Sequence, residues 1–483
     1  MVLINQIIGS FRKYQWWICF ILFITKFGVA FHQMAIIFLA PPVLYECPGH
    51  KDLCCDNPVY NTTVFKRTVI TEWHLICDKS WLKDFTQTLF QFGVLTGSLL
   101  FGMASDRYGR KVSMIVAVVL EVFMGVIASF LPDYWSFTIV RMIVGFSVGG
   151  VMVVGFVIIM EYVGSEKRYI ISALYQVPFT LGHIILAGFG YYFRDYMYFQ
   201  LAISIVNVIL LLYICILPES PRWLLAMNKT EEAIEILQRV AKINNMPVDD
   251  IRHKIEMDQM ERQSSTLKKG TVADLFRTPN IRKNILVMSF AWFTCSYCFY
   301  GMAQYITHLT GNIFVNVVAS GFVCFCACLI AIPVMRYMNR KMSVVLSNAA
   351  CGICLLVIAC FPQGIAAVVF ACIGVLFSFI VFVIVYLYCT EMFPTVVRNA
   401  ALGISSMMAR VGSMIAPFVV DLGSYGVWCA PVAFGVFPLI AAALCLLLPE
   451  TKDCELLTTL EEGEALGTDR QRTRNRNEPI EIT

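Results

Sequence analysis

The sequence predicts an all-α membrane protein of about twelve transmembrane helices, arranged as two six-helix pseudo-repeats. Three observations carry this. The 483 residues are 58% hydrophobic and only 14% charged, with mean hydropathy +0.70, whereas a soluble domain has about a quarter charged residues. Apolar stretches of about 20 residues recur, each long enough to cross a hydrocarbon core of ~30 Å as a helix. Polar signatures also recur at a fixed offset: Asp106-Arg-Tyr-Gly-Arg-Lys111 is echoed by Arg336-Tyr-Met-Asn-Arg-Lys341, and Glu161 with Arg168 by Glu391 with Arg398, each 230 residues on. Leu217-Pro-Glu-Ser220 returns as Leu448-Pro-Glu-Thr451, 231 residues on. Two copies with polar marks at matching joints place an expected site near mid-bilayer, where the bundles meet.

Taken in order, the apolar runs start near Trp16, Asp84, Val112, Trp135, Tyr169, Met197, Asn284, Asn312, Met342, Ile365, Asn399 and Val427. Residues 1–217 are expected to form the first bundle, 218–283 a linker with short charged helices, 284–449 the second bundle and 450–483 a disordered tail. Eleven Lys and Arg between Pro218 and Lys283 put the linker, and with it both termini, on the cytoplasmic side. The first apolar run is too long for a cleavable signal and no small-residue site follows it. The net charge of +4 follows the inner loops and gives no support to nucleic-acid binding.

The outer loop, 46–83, carries Cys47, Cys54, Cys55 and Cys77, which allow two disulfides in three pairings. Asn61-Thr-Thr63 there is a glycosylation acceptor; Asn228-Lys-Thr230 lies inside and stays silent. The other cysteines fall mostly in apolar helices without His or carboxylate at ligand spacing, so they read as packing and no metal is expected. No nucleophile-base pair or phosphate loop is present, which excludes an enzyme, and no cofactor is implied.

The run Gly102 to Lys111 reads as a tight inner turn. Gly109 allows the turn, Gly102 permits close helix approach, Asp106 accepts from a helix N-terminus of the other half, and Arg110 supports a charge relay, flanked by Arg107 and Lys111. Glu161 and Glu391, with Arg168 and Arg398 seven residues later, are expected to pair across the inner seam and act as a gate. Arg141, Gly145, Gly149 and Gly150 lie in the fourth helix, where small residues let helices pack closely. Arg141 either sits near the outer interface or pairs with Glu121.

Arg410 lies about eleven residues into the eleventh helix, ~16 Å deep at ~1.5 Å per residue. No carboxylate is expected in that helix. A cation at such depth costs at least about 2.5 kcal/mol and calls for a wet cavity or counter-charge. Its repeat partner is Thr180, so the charge belongs to one half only. Lys26, His32 and Gln33 in the first helix and His183 in the fifth are further embedded polar groups. Trp292, Tyr297, Tyr300, Phe382, Tyr386 and Tyr388 are candidates to line a cavity for flat or alkylated organic ions.

These motifs, Gly102 to Lys111, Arg141 to Gly150, Glu161 to Arg168, Leu217-Pro-Glu-Ser-Pro-Arg-Trp223 and Glu391 to Arg398 running on to Met408-Ala-Arg-Val-Gly412, resemble the organic cation, anion and carnitine transporters of the major facilitator superfamily. The resemblance covers the chain to about Cys454. It implies a twelve-helix alternating-access carrier at the plasma membrane with a central cavity. Members that prefer cations carry an Asp near the place of Arg410; anion and carnitine carriers have the Arg. The same analogy puts Tyr300, Phe382 and Tyr386 in the cavity lining. The eighth helix, Phe314 to Met335, lacks the basic residue common in the anion branch, which favours a monocarboxylate or zwitterion over a dianion. The outer loop is shorter than the family's usual ectodomain.

The expected function is transport of a small organic ion across the lipid bilayer, most simply an anion or zwitterion held by Arg410, Tyr300, Phe382, Tyr386, Trp292, Gln33 and His183. An organic cation carrier is the alternative, and a non-transporting receptor or scaffold of the same fold is the alternative of another class. The coupling ion, sodium or proton, is left open.

Overall fold

The computed structural model describes residues 6–9, 11–47, 54–55, 58–164, 167–248, 250–264, 272–452, 457 and 459–466. Of the expected disordered tail, 450–483, residues 453–456, 458 and 467–483 lie outside them, and the described part instead carries a short helix, Leu460–Ala465. By contacts the chain divides into two compact units, residues 1–266 with 312–322, and residues 267–311 with 323–483. Of the linker, residues 218–266 go with the first unit and 267–283 with the second.

In the first unit, α1 spans Lys13–Met34 and runs on through Ile36–Leu39; α2 is Trp81–Tyr108, α3 Arg110–Ile127, α4 Tyr134–Tyr162 and α5 Val177–Tyr192. α6, Tyr196–Val206, continues through a tighter stretch to Ile216. In the second part of the chain, α7 is Pro279–Tyr305, α8 Ile313–Tyr337, α9 Arg340–Cys360, α10 Ile365–Met392, α11 Arg398–Asp421 and α12 Cys429–Cys445. With α5 taken from Ile170 and α6 to Ile216, eleven of these are long and apolar enough to cross a membrane; α12, with 17 residues, is shorter but apolar. Its length of about 26 Å at ~1.5 Å per residue comes close to the hydrocarbon thickness.

Local chemistry sets the ends. Asp133 accepts from Ser136 N at 2.9 Å to start α4, and Asp195 accepts from Met197 N at 2.9 Å to start α6. Gly109 breaks the chain between α2 and α3 at φ +109°, a conformation that side chains disfavour. Gly145 and Gly149 let α4 lie directly on α2: a Cβ at either would run into the carbonyl of Phe90 or Val94. Gly102 does not share this role, because a Cβ there would meet only Val153 Cγ1 at 3.9 Å.

The outer loop forms the antiparallel pair β1, Tyr45–Glu46, and β2, Val59–Tyr60. Of the three disulfide pairings it takes Cys47–Cys55 and Cys54–Cys77. Arg67 pairs with Glu72 within the loop at 2.7 Å and ties the loop to the start of α6 through Asp195 at 3.8 Å. Exposed Asn61 accepts from the Thr63 hydroxyl at 2.7 Å.

The linker holds Pro221–Ala226, Thr230–Ile243 and Ile251–Ser264. Thr230–Ile243 is amphipathic, burying Ala233, Ile234, Leu237, Val240 and Ala241. Its neighbour Asn244 accepts from Tyr14 N at 2.9 Å, so it caps the first turn of α1. A short helix after the second bundle, Leu460–Ala465, does the same for α7: Glu464 accepts from Asn280 N at 2.9 Å and Ile281 N at 3.0 Å.

Candidate functional site

Arg410 sits near the middle of α11 and is 7% exposed. Its guanidinium hydrogen-bonds the Tyr300 hydroxyl on α7 and acts on the Tyr386 hydroxyl on α10. A chain of rings connects these groups. Trp292 meets Tyr386 with centroids 4.3 Å apart, Tyr386 meets Phe382 at 5.6 Å and Phe382 meets Phe379 at 5.8 Å. Phe379 and Phe299 are 5.1 Å apart, as are Phe299 and Tyr300. The path therefore leads from Arg410 through five aromatic residues, Tyr386, Phe382, Phe379, Phe299 and Tyr300, and back to it, with Trp292 packed outside on Tyr386, at spacings typical of packed rings.

Sequence reasoning found Trp292, Tyr300, Phe382 and Tyr386, but missed Phe299 and Phe379. Two other aromatics fall elsewhere. Tyr297 packs on Phe434 and Phe437 of α12, and Tyr388 donates to the Pro449 carbonyl at 2.6 Å. α11 also ends in a carboxylate, Asp421, against the expectation of none; it lies eleven residues, about three turns, from Arg410. A guanidinium offers a planar fork suited to a carboxylate. Ring faces beside it suit alkylated or flat organic groups.

The repeated polar signatures build one charged corner in each unit. In the first, Arg110 at the start of α3 pairs with Glu161 on α4 at 2.9 Å and with Asp106 on α2 at 2.5 Å. Glu219, from the Leu-Pro-Glu motif, accepts from Arg110 N at 2.8 Å and Lys111 N at 3.1 Å, which satisfies the unpaired N–H groups that open the helix. In the second, Arg340 pairs with Glu391 at 3.2 Å, and Glu450 accepts from Arg340 N at 2.8 Å and Lys341 N at 3.1 Å.

Glu219, Arg340 and Glu450 are thus central residues to which the sequence reading gave no role. The signal was there, since each lies in a repeated motif. Arg168 and Arg398 differ from expectation: Arg168 donates to the carbonyls of Val163 and Met160 at 3.2 and 3.0 Å, and Arg398 to Phe393 and Leu457 at 3.1 and 3.4 Å. They brace turns, while the partners of Glu161 and Glu391 are Arg110 and Arg340. Asp106 likewise meets Arg110 of its own unit, and Arg107 is exposed beside Tyr108.

Within the first unit, Lys26 lies 4.2 Å from the Tyr175 ring centroid. Gln33 donates to Met152 Sδ at 3.1 Å and its carbonyl accepts from Gln87 at 3.4 Å. His183 on α5 is 1% exposed. Arg141 is fully buried and donates to the His32 carbonyl at 3.4 Å; it lies deep rather than at the interface, and it does not pair with Glu121, whose Oε1 accepts from Asn207 at 3.2 Å.

This fold is that of solved major facilitator carriers. The inward-open structure of the xylose transporter XylE from E. coli matches with a TM-score of 0.67 at 18% identity, covering 94% of this chain and 99% of that one. The model of the "Sugar (and other) transporter" family matches residues 59–462. Among curated relatives, an organic cation transporter protein of Drosophila melanogaster is 33% identical over 95% of this chain and 94% of its own. Solute carrier family 22 member 3 of Mus musculus is 34% identical over 83% and 72%, and member 16 of Homo sapiens 33% identical over 88% and 75%. The chain belongs to the sugar (and other) transporter family, in the organic cation, anion and carnitine group that its motifs resemble. It is a multi-pass membrane transporter and not an enzyme.

Proposed function

We propose that this carrier moves a small organic anion or zwitterion, carnitine-like or an amino-acid derivative, across the plasma membrane by alternating access, with both termini in the cytoplasm. The observation that carries this reading is Arg410, a guanidinium buried in mid-helix beside Tyr300 and Tyr386. A bound carboxylate would offset the burial of that charge, and Trp292, Phe382 and the two tyrosines would hold the body of the molecule. The two charged corners would serve as cytoplasmic gate elements.

A second reading has its own support: two relatives are named for organic cations, and aromatic faces also take cations. Uptake into proteoliposomes of carnitine, benzoate and tetraethylammonium separates the two. Carnitine or benzoate should be taken up and compete with each other. Uptake of tetraethylammonium alone would reverse the assignment.

A further inference from the structure

The interior of the first unit holds charged groups that this reading does not use. Arg141 on α4, His32 on α1, Glu121 on α3 and Gln200 on α6 are each 0% exposed. Arg141 gives one bond to the His32 carbonyl at 3.4 Å and lies 4.6 Å from the Phe90 ring centroid; its Nε and Nη1 have no hydrogen-bond partner. Neither ring nitrogen of His32 has a partner, nor have Glu121 Oε2 and Gln200 Oε1. Gly125, one turn from Glu121, brings them together: a Cβ there would lie 3.2 Å from His32 Cε1 and 2.7 Å from Ser204 Oγ. Gln200 donates to the Gly125 carbonyl and to Ser204 at 3.2 Å. Four helices thus aim an imidazole, a carboxyl, a guanidinium and an amide into one buried region.

The scaffold does not require them. At the 230-residue offset that relates α3–α4 to α9–α10, Arg141 corresponds to Ala371 and Glu121 to Cys351, both buried. The same helix packing is therefore reached with small uncharged side chains. A buried ion without a partner is costly, and a carboxyl group removes its charge by taking up a proton.

We infer that Glu121 and His32 form a proton-carrying site in the first unit, so that movement of the organic ion is linked to movement of a proton. The inference rests on the transport reading above. A proton from water forms an O–H bond on Glu121 Oε2, turning carboxylate to carboxylic acid, and the reverse step releases it on the other side; a His32 ring nitrogen accepts and passes it on. The other buried titratable or charged groups on the helices around His32 are Tyr14, Cys19 and Lys26 on α1, Asp84 on α2, Arg110 on α3, Tyr134, Arg141 and Tyr162 on α4, His183 on α5, and Tyr196 and Tyr213 at the two ends of α6. Arg141, at the His32 carbonyl, is the charge whose balance the proton changes.

The test uses the purified full chain in proteoliposomes with whichever of carnitine, benzoate or tetraethylammonium it takes up. Wild type should accumulate the probe under a proton gradient of one sign, by about tenfold per pH unit for one proton per turnover. Glu121→Gln should lose this accumulation while retaining exchange of the probe at equilibrium, and His32→Asn should slow it. Accumulation that ignores a proton gradient of either sign, or that survives Glu121→Gln, would overturn the inference. Absence of any uptake or exchange by wild type would count against the transport reading instead. Infrared difference spectra then decide the proton site: a protonated-carboxyl band that titrates in wild type and is missing in Glu121→Gln supports it, and no such band in wild type refutes it.

Discussion

The charged corner of the first unit and its copy in the second share an arginine, a glutamate partner and a capping glutamate, but differ at the residue that closes the preceding helix. Asp106 ends α2, and Arg336 holds the matching place in α8. Arg110 therefore has two carboxylates, whereas Arg340 has one and turns its other edge to the Met335 carbonyl. The second corner compensates elsewhere, with the Thr451 hydroxyl on Glu391 at 2.7 Å. What both copies retain is the part that satisfies backbone: Glu219 and Glu450 each hold the first N–H groups of a helix. The peripheral charge is free to differ because it sits on the surface, where an ion pair adds little.

Perturbing matched positions in the two units tests this contrast. The largest effect is expected from Arg410→Ala, which should abolish uptake of a carboxylate probe with surface expression unchanged, a loss of about 2–5 kcal/mol in binding. Thr180→Ala, at the equivalent place in the first unit, should leave uptake near wild type. Next is Gly149→Phe, which installs the residue that the second unit carries at Phe379. Its side chain would overlap the α2 backbone, so no folded monomer should survive gel filtration in detergent.

The corners themselves come third. Glu391→Gln should lower the thermal unfolding midpoint by the equivalent of about 1–3 kcal/mol, and Glu161→Gln by less because Asp106 stays on Arg110. Adding Asp106→Asn to Glu161→Gln should remove the difference; equal shifts for the two single variants would show that Asp106 contributes nothing.

The smallest effect concerns the caps of α1 and α7, one a neutral Asn244 and the other the ionised Glu464. Burial pushes the Glu464 carboxyl up, but the N–H of Asn280, the Thr278 hydroxyl and the N–H of Ile281 outweigh this and hold it below the usual range. A depressed carboxyl contributes above its ordinary pKa and loses that contribution as pH falls through the lowered value. Acidification should thus expose the tail of the second unit to protease without freeing the start of α1. Glu464→Gln should do the same at neutral pH.

Much of this was legible in the chain. Hydropathy alone located the membrane helices because a helix that meets lipid has few polar residues to blur its limits. The 230-residue repeat marked both corners before any coordinates. It did not show who pairs with whom: Glu161 and Glu391 were expected to meet Arg168 and Arg398 across the seam, yet Glu161 pairs with Arg110 of its own unit and Arg168 folds back on carbonyls. Gly145 and Gly149 carry the close approach expected of them, but only geometry shows that Gly102, alike by type, does not share it. Tyr297 and Tyr388 were indistinguishable in sequence from Tyr300 and Tyr386, since every tyrosine in an apolar run looks alike until the helix is rotated into place.

The sequence by itself determined that this is a duplicated bundle of membrane helices with a transporter's signatures, because hydrophobic length and repeat spacing are properties of the chain taken along its axis. Tertiary structure alone decided the disulfide pairing, the partners of each charge and the ring of aromatics around Arg410. These depend on which face of a helix meets which neighbour, and contacts of that kind join residues tens to hundreds of positions apart.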